Sequence, residues 1–290
     1  MASVDRQMRT GYVGMVGPAN TGRSSLLNAL VGNRISPVSQ QPGTTRVPLT
    51  GLHMGRDFQA CFVDTPPLDR NPDLEVLDWL DVLCVVVDAR SLVEQLRTPN
   101  IRRFVEGGEV PSICAVTFLD FFPGGLQPSF LNLASVNGSF NAVVGVCPPS
   151  GRGVDRLLCT VIAQLPRRGA LFPAECRSLH SERFLVSELI RTQLYEVLPW
   201  RIADTTAVQI QEFSFRDGRT YVRANLHVSR HSNKGVVIGR KGRTLQEIVG
   251  AAGGEAQKVL GREVRLDLWV KVREAWPDRP ADLLEFGYVC

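Results

Sequence analysis

Lysine is nearly missing from this chain. Of its 33 basic residues only four are lysines, Lys234, Lys241, Lys258 and Lys271, and none precedes position 234. Any site in the first 233 residues that calls for a compact ammonium must make do with arginine, and the two are not interchangeable. Long apolar runs are also absent. A stretch such as Leu83–Val87 falls far short of the ~20 residues of a membrane span. Met1–Thr10 has no apolar segment of the kind a secretion signal needs, which points to a cytoplasmic chain. The seven cysteines are odd in number and include no CxxC pair. Three of them (Cys61, Cys84, Cys114) sit in apolar, strand-like runs, so buried reduced thiols are favoured over metal or disulfide roles. No internal repeat or low-complexity tract is visible.

What is present is a chain of 290 residues, 44% apolar and 21% charged. That is enough to bury real cores, which excludes wholesale disorder, and long enough for two domains. Apolar strand candidates lie at residues 11–16, Ala60–Val63, Val82–Val87, Ile113–Val116 and Val143–Val146. Turn or helix signals follow each, and Asp155–Gln164 closes the series as an amphipathic helix. Strands alternating with helices predict βαβ units and a mostly parallel sheet. Residues 1–166 form this first domain. Pro166–Pro173 opens a linker over 167–180, and residues 181–290 follow a different order, α-β-β-α-α-β, with an Arg216-Asp217-Gly218-Arg219 hairpin turn. The charge divides the same way. Residues 1–166 carry 13 Arg and 14 acids, whereas residues 167–290 carry 20 basic and 15 acidic groups. Arg219–Arg243 contains seven basic residues and no acid. Flanking a Gly-x-x-Gly turn, this run reads as a phosphate-backbone surface rather than a solvated face.

Gly17-Pro-Ala-Asn20-Thr21-Gly22-Arg23-Ser24 follows a strand and opens a helix. It fits the phosphate-loop pattern G-x-x-x-x-G-K-[ST] with Arg23 in place of Lys. Such glycines let backbone N–H groups curl around phosphates at a helix N-terminus, and Ser24 is placed to coordinate Mg²⁺. Gly43-Thr44-Thr45-Arg46 offers a further hydroxyl, and Asp64 ends an apolar strand before Thr65-Pro66-Pro67. Together these predict a P-loop NTPase fold. His227 and His231 have no Cys or acid at ligand spacing, so no zinc site is expected.

The PGTTR loop and DTP turn, with Val236-Val237-Ile238-Gly239-Arg240-Lys241-Gly242 and Leu266-Asp-Leu-Trp269-Val-Lys271-Val later on, resemble the Era family of GTPases across nearly the whole chain. The fold implied is α/β: a P-loop GTPase-like domain with a mostly parallel sheet, followed by an α+β type II KH domain. The resemblance implies GTP or GDP with Mg²⁺ held by Ser24, Thr45 and Asp64. It implies nucleotide contacts at Gly17, Asn20, Thr21, Gly22, Arg23, Ser24, Ser25 and Asp120, and K⁺ linked to Asn20. It implies single-stranded RNA at Val237, Ile238, Gly239, Arg240, Lys241, Gly242 and Arg243, the RNA being the 3′ end of small-subunit rRNA on the ribosomal small subunit. No catalytic side chain is identifiable. A monomer is expected.

The first half departs from the family where the chemistry is done. Arg23 replaces the phosphate-binding Lys. Pro67 replaces a glycine that donates its N–H to the γ-phosphate, and proline has no N–H to give. The guanine-reading NKxD becomes Thr117-Phe118-Leu119-Asp120, and the backbone donor of the family's SA element falls at Pro148. Each lost charge-assisted contact costs about 1.5–3 kcal/mol, so weak GTP binding and loss of switch-coupled hydrolysis are expected. Two readings stand: a small-subunit assembly factor with a weakened GTPase, and a non-enzymatic RNA-binding assembly protein whose first domain is a docking platform. In the second half, Val236, Val237, Ile238 and Leu245 are expected to line the base groove, and Ile248, Val249 and Trp269 to pack in the core; Trp276 is open between stacking on bases and core packing.

Overall fold

The computed structural model describes residues 8–32, 49–65, 79–106, 110–122, 140–173, 176 and 179–286. The chain divides into two compact units that meet in sequence between Leu179 and His180.

The first unit is a seven-stranded sheet. Its strands are β1 (Met8–Val16), β2 (Leu49–Met54), β3 (Phe58–Asp64), β4 (Val82–Asp88), β5 (Ser112–Thr117), β6 (Ala142–Gly145) and β7 (Arg167–Arg168). They lie in the order β2-β3-β1-β4-β5-β6, with β7 paired to β1. β1 pairs in parallel with β3 and β4, and β5 in parallel with β4 and β6; β2 and β7 run antiparallel to their partners. Both faces are covered. Val13, Met15, Phe62, Cys84, Val86 and Ala115 pack against Leu26, Leu27 and Leu30 of α1 (Arg23–Val31) and Leu157 and Val161 of α4 (Val154–Gln164). Val63, Val85, Val87, Cys114 and Val116 face Leu92 of α2 (Leu92–Leu96) and Ile101 and Val105 of α3 (Pro99–Glu106). Burial on two faces is why β4 reads as an unbroken apolar run rather than an alternating one.

Part of the expected linker belongs to this sheet. β1 pairs with β4 only from Val13 onward, and Arg167 and Arg168 pair with its opening residues Arg9 and Met8. Arg168 reaches Asp81 at 2.5 Å, and the Asp81 carboxylate also accepts from the Tyr12 N–H. The Gln59 side chain accepts from the backbone of Leu171 and Phe172 and donates to the Phe172 carbonyl. Two arginines in a Pro- and Gly-bounded stretch carry no strand signal; the open edge of β1 recruits them.

The second unit holds α5 (Glu182–Val197), α6 (Trp200–Asp204), β8 (Thr206–Arg216), β9 (Arg219–Val228), α7 (His231–Ile238), α8 (Arg243–Leu260), β10 (Val264–Val272) and α9 (Pro280–Glu285). Ser181 caps α5 by accepting from the Phe184 N–H. β8 and β9 form an antiparallel hairpin, and β10 joins β9 in parallel, giving the order β10-β9-β8. Asp217 and Gly218 both have positive φ (51° and 75°), the requirement of a two-residue type I′ turn. Val222, Ala224, Leu226, Val264 and Leu268 pack against Ile190 and Leu194 of α5, Val237 of α7, and Ile248, Ala252 and Ala256 of α8.

Candidate nucleotide and nucleic-acid sites

The phosphate loop is the turn between β1 and α1. Gly17 packs so tightly on β4 that a Cβ there would strike the Val86 carbonyl. Asn20, exposed, has φ 60°, and Gly22 has φ 82° at the start of α1. The first turn of α1 carries no acid, and Gly22 receives no capping side chain, so the positive end of the helix faces the loop without a competing charge of its own. Thr21 is buried and its hydroxyl donates to the Pro18 carbonyl; Ser25 is half-buried on the first turn.

Arg23, Ser24 and Asp64 come together. The Ser24 hydroxyl donates to Asp64 at 2.7 Å. Arg23 is 6% exposed and Asp64 fully buried. The Arg23 guanidinium lies 3.8 Å from the Asp64 carboxylate and donates to the Thr65 carbonyl, at the first residue past the strand. A hydroxyl and a carboxylate oxygen are the hard donors a small divalent cation takes, so this pair fits Mg²⁺, with the guanidinium as a third party at the carboxylate. Thr45, Pro67 and the Gly43–Arg46 loop lie outside the described residues.

The base-reading end is rebuilt rather than simply lost. The contacts of the family's Asn were expected to be missing at Thr117. In the structure the buried Thr117 hydroxyl donates to the Thr21 carbonyl at 2.7 Å and to the Val87 carbonyl at 3.0 Å, tying β5 to the phosphate loop. Phe118 is left-handed (φ 56°) and its ring comes over Gly22. Arg90, which sequence reasoning missed, lies with its guanidinium 4.3 Å from the Phe118 ring centroid and 4.7 Å from that of Phe121. Asp88 holds it there through two-pronged hydrogen bonds of 2.5–3.0 Å, and these raise the guanidinium pKa above its ordinary value. The only sequence signal for this cluster is a basic residue two positions after the Asp that ends β4. Asp120, at the base-reading position, is exposed and accepts weakly from the Cys147 thiol at 3.8 Å. The Cys147 N–H is taken up by the Arg152 carbonyl.

In the second unit the Gly-x-x-Gly turn joins α7 to α8. Gly239 has φ 72°, and a Cβ there would run into Thr244. Lys241 and Gly242 are also left-handed (φ 53° and 77°). Arg240, Lys241 and Arg243 are all exposed. Three cations thus project from one tight corner, the arrangement that meets a phosphate backbone. Beside them Ile238 is half-buried. Val237 is a correction: it is fully buried in the core, because at that point of α7 it faces the sheet, and the apolar residue on the outside is Val236, 43% exposed. Leu245 and Val249 are half-buried against the core and Ile248 wholly inside it. Trp269 is a second correction. Expected in the core, it is 57% exposed, with its indole N–H donated to Asp267 at 2.9 Å. On β10 the even-numbered positions face the core, and Trp269 falls on the odd face. Trp276 is fully buried and donates to the Thr205 carbonyl. No cluster of His, Cys, Asp and Glu suited to a metal ion exists among the described residues.

Fold and sites together define a P-loop GTPase-type domain followed by a KH domain. Residues 12–117 match the family described as 50S ribosome-binding GTPase, and residues 202–277 match the KH domain. GTPase Era of Xanthomonas axonopodis pv. citri is 33% identical over 99% of this chain and 100% of its own length; GTPase Era of Trichlorobacter lovleyi is 30% identical over 98% and 99%. An Aquifex aeolicus Era variant bound to GDP and AlF4⁻ is similar in structure, with a TM-score of 0.87 and 27% identity, covering 98% of this chain and 100% of that one. Era in complex with MgGDPNP and nucleotides 1506–1542 of 16S ribosomal RNA gives a TM-score of 0.85 at 28% identity over the same shares. The chain belongs to the GTPase Era family.

Proposed function

We propose that this chain is a small-subunit ribosome assembly factor that grips the 3′ end of small-subunit rRNA through its KH corner and binds guanine nucleotide weakly. The observation that carries the RNA half is the corner itself: Arg240, Lys241 and Arg243 exposed around Gly239 and Gly242, whose left-handed backbone allows close approach to a nucleic-acid strand. Its standing beside a solved Era held on 16S rRNA supports the choice of ligand. The chain works as a monomer in the cytoplasm; among the described residues no helix is long and apolar enough to cross a membrane.

In the first unit the loop Gly17–Gly22 and the N-terminus of α1 receive the phosphates, with Asn20 toward a K⁺ ion. Where Mg²⁺ binds, Ser24, Asp64 and Thr45 are the residues that would hold it, and the ion would supply charge neutralisation at the phosphates. The base is met by Asp120 and by Phe118, with Arg90 behind the ring. Weak binding follows from Arg23, Phe118 and Pro67 standing where the family places Lys, Lys and Gly. The docking-platform reading is the same molecule with nucleotide affinity near zero. One titration series separates them. With an oligonucleotide of the small-subunit rRNA 3′ end, Arg240→Asp with Lys241→Asp lowers affinity and flattens the salt slope by about two; unchanged RNA binding refutes the KH assignment. GTP with Mg²⁺ then shows a dissociation constant well above micromolar, and micromolar affinity refutes the weakened site.

A further inference from the structure

We propose that the Arg23 guanidinium is a built-in rival of the divalent cation, so that nucleotide binding by this chain is nearly independent of Mg²⁺. The inference rests on the reading of the loop as a nucleotide site and deepens it. Asp64 is fully buried at the end of β3. A carboxylate in that position needs a positive charge beside it. A Lys at this loop position is a compact ammonium on a flexible stem; here a guanidinium reaches the carboxylate itself. Arg23, itself almost wholly buried, places its guanidinium 3.8 Å from the carboxylate and anchors it on the Thr65 carbonyl.

Three properties of arginine turn this position into competition. It is the longer side chain, so it passes the loop and arrives at the strand end. It stays protonated at any working pH, so it never becomes a ligand for a metal. Its planar fork suits phosphate oxygens as well as carboxylates, so the charge that displaces the cation also serves the nucleotide. A Mg²⁺ ion held by the Ser24 hydroxyl and the Asp64 carboxylate would confront a fixed positive charge in a poorly hydrated pocket, where repulsion is little screened.

The test is fluorescence anisotropy of the full-length chain with mant-GDP, in millimolar Mg²⁺ and again in EDTA. The wild-type dissociation constant changes by less than about threefold, and Arg23→Lys makes it rise by more than about tenfold on chelation. A wild-type rise of tenfold or more overturns the proposal. So does an absence of binding in both buffers, since the guanidinium is proposed to serve phosphate. An Arg23→Lys chain that folds and stays indifferent to Mg²⁺ overturns it as well. The wild-type comparison stands alone if the variant folds poorly. The weak-binding reading fails on micromolar affinity, whereas this one fails on a tenfold ratio between buffers or on no binding in either, so the two failures are distinguishable.

Discussion

At the scale of single residues, the substitutions in the first unit act on different parts of nucleotide recognition. Thr117 still ties β5 to the phosphate loop through its hydroxyl, so the loop keeps its shape while the adjoining base-reading positions change. Phe118 and Arg90 offer a flat, cation-backed surface in place of a Lys stem. Stacking on such a surface is indifferent to the base edge. Competition against mant-GDP should therefore show GTP preferred over ATP by no more than about tenfold; a preference of a thousandfold would mean that Asp120 still reads guanine unaided. A second residue-scale prediction concerns Cys84, whose thiol is pushed up to about 12 by burial on the sheet face that α1 and α4 cover. A thiol this hard to ionise when folded, and near 9 when unfolded, stabilises the fold fully below pH 9 and loses that contribution as pH rises toward 12. Melting curves from pH 7 to 11 should show Tm falling above pH 9, and falling less in Cys84→Ala.

At the scale of elements, the C-terminal segment after β10 is a fastening. Trp276 is fully inside, bonded to the Thr205 carbonyl, and meets Phe286 edge-on at 5.3 Å. Phe286 in turn lies over His227 of β9 at 4.9 Å. Arg273 bridges Asp282 and Glu285 at 2.5 and 2.6 Å. Trp276→Ala should cost about 3–5 kcal/mol in urea unfolding followed by a probe in the second unit. Burial, with Arg273 and Lys271 nearby, lowers the His227 pKa below its usual 6.5. A group depressed in this way favours the folded state above pH 6.5 and withdraws that support as pH falls below it, so the protection factors of the α9 amides, corrected for the intrinsic exchange rate at each pH, should fall first on acidification. Elements are also where the sequence was most and least readable. β4, β5, β9 and β10 were plain from their runs and alternations, and the Asp217-Gly218 turn from its two residues. β7 was not, because its strand character comes from the free edge of β1. Trp269 was misplaced because hydrophobicity was weighed without register, and one position along a strand changes the face. The phosphate loop and the Gly-x-x-Gly corner were legible because backbone conformation there demands glycine; Arg90 was not, because the Phe118 and Phe121 rings it lies over are about thirty residues further along the chain.

At the scale of the whole molecule, the two units carry separate cores. One is built on the two faces of the seven-stranded sheet, the other between α5, α8 and the three-stranded sheet. A unit with its own core is able to fold alone. The fragment 180–290 should fold cooperatively and bind the rRNA oligonucleotide with the salt slope of the full chain. Failure to fold would mean that the second unit depends on the first for stability. The uneven charge also takes a definite place: of the acid-free run from Arg219 to Arg243, Arg219 and Arg223 on β9 pair with Glu263 and Glu212, and the corner carries Arg240, Lys241 and Arg243 exposed, while the near-neutral first unit pairs arginines with Asp64, Asp81 and Asp88.

The pairing of β7 with the opening residues of β1 gives the first unit a mechanical character. The segment leaving the unit is stitched to Met8 and Arg9, and the same nine-residue strand ends at Val16, where the phosphate loop begins. Nine extended residues span roughly 30 Å. Tension on the departing segment is therefore met first at Gln59 of β3, which holds Leu171 and Phe172, and then at the short ladder on Met8 and Arg9, one strand length away from the loop.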